Sequence, residues 1–209
     1  IIAEFKRKSP SKGWIKEEGL PEEIPAQYAA NGASAISILT EEHFFGGHLK
    51  YIKIARPLVQ CPILRKDFIV DPYQIYQARI IGADAILLIA AALTVDECKR
   101  LAAKAHELSL EVLLEIHSEK ELEYLNEHID MIGVNNRNLG TFHTDVENSF
   151  RLAGKLPKET LPVSESGISH PETIKQLRQA GFRGFLIGET FMKTAVPGET
   201  LRTFIQTLQ

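Results

Sequence analysis

Acidic, basic and amide side chains stand at the ends of several apolar runs in this sequence, a pattern suited to acid–base chemistry. Glu4 and Lys6 lie two residues apart in the first run, so both side chains face the same side of a strand. Four later runs end on polar residues: Lys66, Glu115, Asn135 and the pair Glu165 and Ser166. Burying a charge is costly unless it is paired or used, so we expect these side chains to converge into one site. Structural ion pairs and helix caps remain the alternative for any one residue taken alone.

Two glycines indicate an anion site near the same strand ends. Gly167 and Gly188 each follow an apolar run and precede a helix-like stretch. Glycines at such positions let backbone N–H groups approach a phosphate closely, often beside a short extra helix. Ser9 either adds a hydroxyl to this anion or forms a simple turn with Pro10.

Aromatic residues and one histidine lie close to the predicted strand ends. Phe44, Phe45 and Phe68 either line a pocket for an aromatic ring or pack within loops. His117 follows Glu115 by two residues, and we expect it at a helix start or on the surface. The seven histidines form neither an HxH nor an HExxH spacing, so we expect neither a catalytic metal nor any other cofactor.

Eight strand-like runs must position these side chains. They lie near residues 1–6, 34–39, 62–66, 84–89, 111–116, 131–135, 161–165 and 183–187. Most are continuously apolar, as expected for parallel strands covered on both faces. Helix-like stretches such as 94–107 and 170–180 separate them, and glycines end three of the predicted helices: Gly32, Gly82 and Gly181. Eight such units of roughly 26 residues predict a (β/α)8 TIM barrel. A doubly wound sheet usually has fewer strands and often a glycine-rich first turn, which is missing here.

Composition and charge narrow the class of protein. The 209 residues fit a single barrel domain over 1–209, with no composition break that would mark a linker. The net charge of −3 argues against nucleic-acid or membrane binding. Two cysteines, Cys61 and Cys98, indicate neither a disulfide framework nor a zinc site, so we expect a reducing, cytoplasmic location.

Taken in order, these segments resemble the indole-3-glycerol phosphate synthase family along the whole chain. The resemblance is carried by Glu-x-Lys-x-x-Ser-Pro-Ser from Glu4, Leu-Thr-Glu at 39–41, Phe-Phe-Gly-Gly at 44–47, Arg-Lys-Asp-Phe-Ile at 65–69, Asp-Pro-Tyr-Gln-Ile-Tyr at 71–76, Asp-Ala-Ile-Leu-Leu-Ile at 84–89, Asn-Asn-Arg-Asn-Leu at 135–139 and Ser-Glu-Ser-Gly-Ile at 164–168. Each motif is weak alone, but their order and barrel spacing make the resemblance strong.

The resemblance implies a carboxy-lyase of tryptophan biosynthesis that closes the indole ring of a carboxyphenylamino-deoxyribulose phosphate. It implies Lys66 as general acid, Glu115 as the acid/base carboxylate, and Lys6 as the residue that binds the substrate carboxylate and assists dehydration. It implies a shaping role for Glu4, Asn135, Glu165 and Ser166. Phosphate binding would fall to Ser9, Gly167, Gly188 and the backbone N–H of Glu189. The anthranilate ring would lie against Phe45, Phe68 and Leu87.

The resemblance also raises expectations about the rest of the protein. Family members usually carry an extension before strand one, including a helix over the barrel mouth. Because this sequence begins at Ile1 without methionine, we expect that extension to be missing here. A phosphorylated small molecule is the expected partner of a monomer, with possible contact with other tryptophan-pathway enzymes.

Two alternatives stay open from the sequence. A barrel similar to phosphoribosylanthranilate isomerase would need a cysteine and an aspartate at strand ends. A non-catalytic phosphate-binding barrel would have a damaged Lys66 or Glu115, whereas both residues are present.

Overall fold

Eight parallel strands close into a ring at the centre of the molecule. The computed structural model describes residues 1–138 and 140–208. Its barrel strands are β1 (Ile2–Phe5), β2 (Ala35–Leu39), β3 (Ile63–Lys66), β4 (Ala85–Ile89), β5 (Glu111–Ile116), β6 (Met131–Asn135), β7 (Leu161–Glu165) and β8 (Gly184–Ile187). Each strand pairs with its neighbours in sequence, and β1 closes the ring against β8, where Ile2 lies opposite Leu186. The predicted (β/α)8 barrel is confirmed. Leu139, the last residue of the predicted motif at 135–139, and Gln209 lie outside the described residues.

Helices connect the strands around the outside of the ring. They are α1 (Ile24–Ala30), α2 (Lys50–Ala55), α3 (Pro72–Ile81), α4 (Val95–Glu107), α5 (Glu147–Ala153), α6 (Pro171–Gln179), α7 (Glu189–Met192) and α8 (Pro197–Gln206). The helices predicted at 94–107 and 170–180 appear as α4 and α6. A 3₁₀ helix, Glu119–Tyr124, takes the place of an α-helix between β5 and β6, where the connection is short. A small hairpin of Lys8–Ser9 with Gly13–Trp14 follows β1.

Local capping signals explain where helices begin and end. The Thr94 hydroxyl accepts the backbone N–H of Glu97, and the Glu97 carboxylate accepts the backbone N–H of Thr94. This reciprocal pair is a capping box that starts α4. Gly82 ends α3 with a φ of 95°, a left-handed conformation that suits glycine. Gly32 and Gly181 also have positive φ, so the three predicted helix ends are confirmed.

Two apolar layers hold the barrel together and define the floor of the site. The larger layer fills the space between the strands and the helices. The smaller one lies inside the ring and consists of Leu64, Ala85, Leu87, Ile89, Leu113, Val163 and Leu186. Because side chains alternate along a strand, the next inward positions toward the carboxyl ends carry polar groups above this floor. Among the described helices, none has the length and apolar character that crossing a membrane requires.

Candidate active site

Four barrel strands bring three carboxylates and two lysines together above the apolar floor. Lys66 Nζ, at the end of β3, lies 3.5 Å from Glu115 Oε2 of β5 and 3.6 Å from Glu165 Oε2 of β7. Lys6 Nζ, just beyond β1, lies 2.8 Å from Glu4 Oε1. The three glutamate side chains are at most 4% exposed. Residues that are far apart in sequence thus form one buried cluster of opposite charges.

Electrostatic interactions within this cluster keep Lys66 protonated. Burial acts to lower the pKa of Lys66, but the attraction of the surrounding carboxylates, of which Glu115 contributes most, outweighs burial and raises the pKa above its ordinary value. Burial acts to raise the pKa of Glu4, yet the ammonium groups of Lys6 and Lys66 hold it below its ordinary value. At neutral pH the site therefore contains a proton donor and a charged carboxylate side by side.

The pKa of Glu165 shifts in the opposite direction to that of Glu4. Burial raises the pKa of Glu165 to about 8; the Lys66 ammonium opposes that rise, and the carboxylates of Glu115 and Glu4 add to it. At neutral pH the Glu165 carboxyl is then mostly protonated, whereas the lowered pKa of Glu4 keeps that carboxylate charged. Gly133 of β6 leaves the space for this carboxyl, because a Cβ there would lie 1.9 Å from Glu165 Oε1.

A cavity of about 760 Å³ is lined both by the charged cluster and by an apolar wall. Phe45, Phe68 and Leu87 form part of this wall, and the rings of the two phenylalanines lie 6.3 Å apart. The Glu41 carboxylate holds the loop that carries Phe45 by accepting three backbone N–H groups, from His43, Phe44 and Phe45. Phe44 itself is half exposed and packs edge-on against His43. The two rings are inclined by 44°, and the wall offers aromatic and aliphatic surface suited to an aromatic ring.

A second cavity, of about 830 Å³, adjoins the first and is rich in positive charge. Its cationic lining residues are Lys6, Lys12, Arg137 and Lys193. Gly167, Gly188 and Glu189 also line it, and Arg137 Nη2 lies 3.9 Å from Glu189 Oε2. The short helix α7 begins directly after Gly188, as the sequence predicted for a phosphate site. Four cations against two carboxylates, Glu4 and Glu189, make this cavity suited to an anion.

A buried amide holds the backbone of the anion cavity in an unusual conformation. Ser166 and Gly167 have φ values of 67° and 75°, and a left-handed φ is uncommon for serine. Asn136 Nδ2 donates to the Ser166 carbonyl at 3.0 Å and to Ser164 Oγ at 3.1 Å. Asn136 Oδ1 accepts the hydroxyl of Ser149 at 2.8 Å. This buried network fixes the turn that follows β7.

Most of the predicted site residues line one of the two cavities, but Ser9 is different. Ser9 lies in the small hairpin and is 1% exposed; its hydroxyl is buried without a hydrogen-bond partner among the described residues. Asn135 lines the first cavity, and Ser166 lines both.

Three cations in the anion cavity were not singled out from the sequence: Lys12, Arg137 and Lys193. Arg137 stood within the Asn-Asn-Arg motif, so the motif carried a usable signal for it. The sequence carried no such signal for Lys12 and Lys193, because isolated lysines after a strand or a short helix usually face solvent.

His117 lies closer to the site than the sequence suggested. It directly precedes Ser118, which caps the 3₁₀ helix, so the predicted position at a helix start is correct. The side chain, however, is only 16% exposed, and its Nε2 lies 3.4 Å from Glu115 Oε1. Within residues 1–138 and 140–208, the acidic, histidine and cysteine side chains form no group of three or more suited to a metal ion.

The fold and the site together define a class of protein: a (β/α)8-barrel enzyme with a lysine–glutamate acid–base centre next to an anion site. The family model of indole-3-glycerol phosphate synthase matches residues 1–204. An indole-3-glycerol phosphate synthase of Bacteroides thetaiotaomicron is 71% identical over 209 residues, all of this chain and 80% of that protein. Another, from Magnetococcus marinus, is 50% identical over 205 residues, 96% of this chain and 76% of that protein.

The chain belongs to the indole-3-glycerol phosphate synthase family. The predicted resemblance is therefore confirmed, and with it the assignment as a carboxy-lyase of tryptophan biosynthesis with a phosphorylated small-molecule substrate. The crystal structure of a 3-hexulose-6-phosphate synthase from Salmonella typhimurium has a TM-score of 0.75 at 15% identity, covering 99% of this chain and 96% of that one. That likeness concerns the fold alone. Neither alternative barrel is favoured: Cys61 precedes β3 and Cys98 lies within α4, so neither occupies the carboxyl end of a strand.

Proposed function

We propose that the two cavities convert 1-(2-carboxyphenylamino)-1-deoxyribulose 5-phosphate into indole-3-glycerol phosphate by lysine–glutamate acid–base catalysis. The observation that carries this proposal is the position of Lys66. Its ammonium lies between the carboxyl groups of Glu115 and Glu165, in a cavity that is also lined by aromatic rings and that adjoins a cationic cavity. A substrate with an aromatic ring at one end and a phosphate at the other fits this order of features.

Lys66 acts in ring closure. As the aromatic carbon attacks the ketone, negative charge develops on the carbonyl oxygen, and an ammonium close to that oxygen can donate a proton to it. The raised pKa of Lys66 keeps this proton in place until the oxygen becomes basic. Loss of carbon dioxide from the attacked ring carbon then restores conjugation, and this step requires no further proton.

Lys6, Glu4 and Glu115 act on the substrate carboxylate and in dehydration. Lys6 lies at the border of the two cavities, where its ammonium can bind the carboxylate before it leaves. Removing the hydroxyl as water requires a proton donor on one side and a base on the other. Lys6 with Glu4 and the carboxyl group of Glu115 supply these two functions.

The remaining residues hold the substrate in place. The anthranilate ring packs against Phe45, Phe68 and Leu87. The phosphate accepts backbone N–H groups at Gly167, Gly188 and Glu189, and the Ser9 hydroxyl turns toward it when the hairpin adjusts. Asn135, Glu165 and Ser166 contact the hydroxyl groups of the ribulose chain. Arg137, Lys12 and Lys193 add positive charge around the phosphate.

Fluorescence of the indole product tests the function and the role of Lys66 together. We expect the chain to turn over the substrate and Lys66→Ala to lose activity by at least about a hundredfold. Lys175→Ala, at an exposed lysine of α6, is the control and should keep full activity. Lack of product from the unsubstituted chain would contradict the function. Equal activity in the chain and Lys66→Ala would leave the function standing and contradict the role of Lys66.

We further propose that residues 1–209 act as one domain and as a monomer in the cytoplasm. A single closed ring with one surrounding apolar layer supports the domain assignment. Light scattering during size-exclusion chromatography should give a mass near 23.4 kDa. A mass of twice that value would contradict the monomer.

A further inference from the structure

His117 lies next to Glu115 without a conventional partner for its ring, and only 16% of its side chain is exposed. Both ring nitrogens are inaccessible, and neither makes an aligned hydrogen bond among the described residues. A buried imidazole with unpaired nitrogens destabilises the fold, so its presence calls for a use. The protein engages the backbone of His117, not its ring: its carbonyl accepts Asn148 Nδ2 at 3.1 Å, and Glu121 accepts its N–H.

The ring of His117 nevertheless stands between two carboxylates. Nε2 lies 3.4 Å from Glu115 Oε1, and Nδ1 lies 3.8 Å from Glu121 Oε2. Glu115 is 3% exposed and faces the reaction cavity, whereas Glu121 is 20% exposed and reaches solvent. Carboxylate, imidazole and carboxylate thus form a line from the protein surface to the acid–base centre. Hydrogen bonds of this kind are often long in an enzyme without substrate and shorten when substrate binds.

A polar cavity of about 540 Å³ lies beside this line. His117 forms part of its wall, together with other charged or titratable side chains, namely Arg137, His143, Asp145 and Arg151. These groups and the two glutamates are the charges that face His117. Because both ring nitrogens are inaccessible, solvent enters this line through the partly exposed Glu121.

The reaction in the proposed function requires such a route, because it consumes a proton. Ring closure places one proton on the ketone oxygen, and dehydration places a second on the departing hydroxyl. One proton returns to the site when the carbon next to nitrogen is deprotonated to form the indole. The carboxylate leaves as carbon dioxide without proton transfer. Each turnover therefore takes one proton from solvent into a site whose carboxyl groups are almost fully buried.

We propose that Glu121 and His117 form the path by which this proton reaches Glu115. The O–H bond of protonated Glu121 breaks as its proton bonds to Nδ1, the Nε2–H bond breaks, and a new O–H bond forms on Glu115; Glu121 then takes a proton from solvent. Rotation about the Cβ–Cγ bond then turns the Nδ1–H toward Glu115 and Nε2 toward Glu121, so the next transfer enters at Nε2, leaves from Nδ1 and restores the first tautomer. Both residues act on the reaction only through Glu115. The proposal rests on the proposed function, which defines the proton balance.

Two substitutions test the path from its two ends. His117→Asn keeps a polar side chain but cannot relay a proton. Glu121→Gln can still accept the N–H groups of His117 and Ser118 through its amide oxygen, so the 3₁₀ helix keeps its cap. His128→Asn replaces a half-buried histidine at the opposite end of the barrel and is the control. For all four proteins, kcat and KM are measured by product fluorescence with increasing concentrations of imidazole buffer.

We expect both path variants to lose about tenfold in kcat with KM within about twofold of the unsubstituted chain. Added imidazole should restore kcat in His117→Asn and should leave the unsubstituted chain and His128→Asn unchanged. Unchanged kcat in both path variants would overturn the proposal, and so would a lower kcat that imidazole fails to raise. If His117→Asn does not fold, the kcat of Glu121→Gln tests the path alone: a loss of about tenfold supports the path, and an unchanged kcat overturns it. Absence of turnover by the unsubstituted chain would instead overturn the proposed function and this path with it.

Discussion

Replacing Glu165 by glutamine should make the stability of the chain less dependent on pH. The ordinary pKa of a glutamate is 4.5, whereas burial raises the pKa of Glu165 to about 8. Between these values the folded chain holds a proton that the unfolded chain releases, so the free energy of unfolding decreases as pH rises through this window. The difference between 4.5 and about 8, at about 1.4 kcal/mol per pH unit, sets an upper limit of about 5 kcal/mol. Glutamine cannot ionise, so the variant escapes this loss.

Urea unfolding near pH 5.5 and near pH 8.5 measures the effect. Because the lower pH already lies inside the window, we expect Glu165→Gln to gain about 3 kcal/mol relative to the unsubstituted chain between the two conditions. Glu172→Gln, at an exposed glutamate of α6, should follow the unsubstituted chain. Equal pH dependence in the unsubstituted chain and Glu165→Gln would mean that Glu165 titrates normally in the folded state. That result would refute the assignment of a neutral carboxyl beside Lys66.

Three further substitutions test the site and its scaffold. Gly133→Ala introduces a methyl group 1.9 Å from Glu165 Oε1, and displacing the carboxyl should lower kcat about a hundredfold in the fluorescence assay. A normal kcat would contradict the tight fit of Glu165 against Gly133. Asn136→Ala removes the hydrogen bond to the Ser166 carbonyl and should raise KM about tenfold, as expected for one buried hydrogen bond, with a smaller change in kcat. An unchanged KM would mean that the turn at Ser166 and Gly167 keeps its conformation without the Asn136 amide. Thr94→Ala removes the N-terminal cap of α4 and should lower the free energy of unfolding in urea by about 1 kcal/mol, while kcat stays constant. A loss of kcat would contradict a purely structural role for this cap.

The strands and the central cluster were predictable because their signals are local. An apolar run that ends on Lys66 or Glu115 predicts both a buried strand and its polar end within a few residues. Barrel geometry then forces all such termini to one mouth. The direction of each side chain followed from alternation, because Leu64 and Leu113 occupy the inner layer and the residues two positions later must also face inward.

The parts that were missed depend on contacts between distant segments. Lys12 and Lys193 meet only because β1 and β8 are neighbours in the closed ring, and the reach of a long side chain is not encoded in its immediate sequence. To predict the position of His117, one would have to know that the β5–β6 connection forms a 3₁₀ helix. In that conformation the histidine ring lies close to Glu115. The buried hydroxyl of Ser9 likewise depends on the hairpin after β1, whose packing no local pattern indicates.

The seam between β1 and β8 has a consequence for the order of events on the ribosome. Glu4 lies far ahead of Gly188 in the chain, and a Cβ at Gly188 would lie 2.7 Å from the Glu4 carboxylate. While translation proceeds, β1 can pair with β2, but its other edge stays open until β8 emerges. An open strand edge invites pairing with other chains. The acid–base residues of β1 are therefore held in an open, association-prone sheet until β8 has emerged and paired with β1.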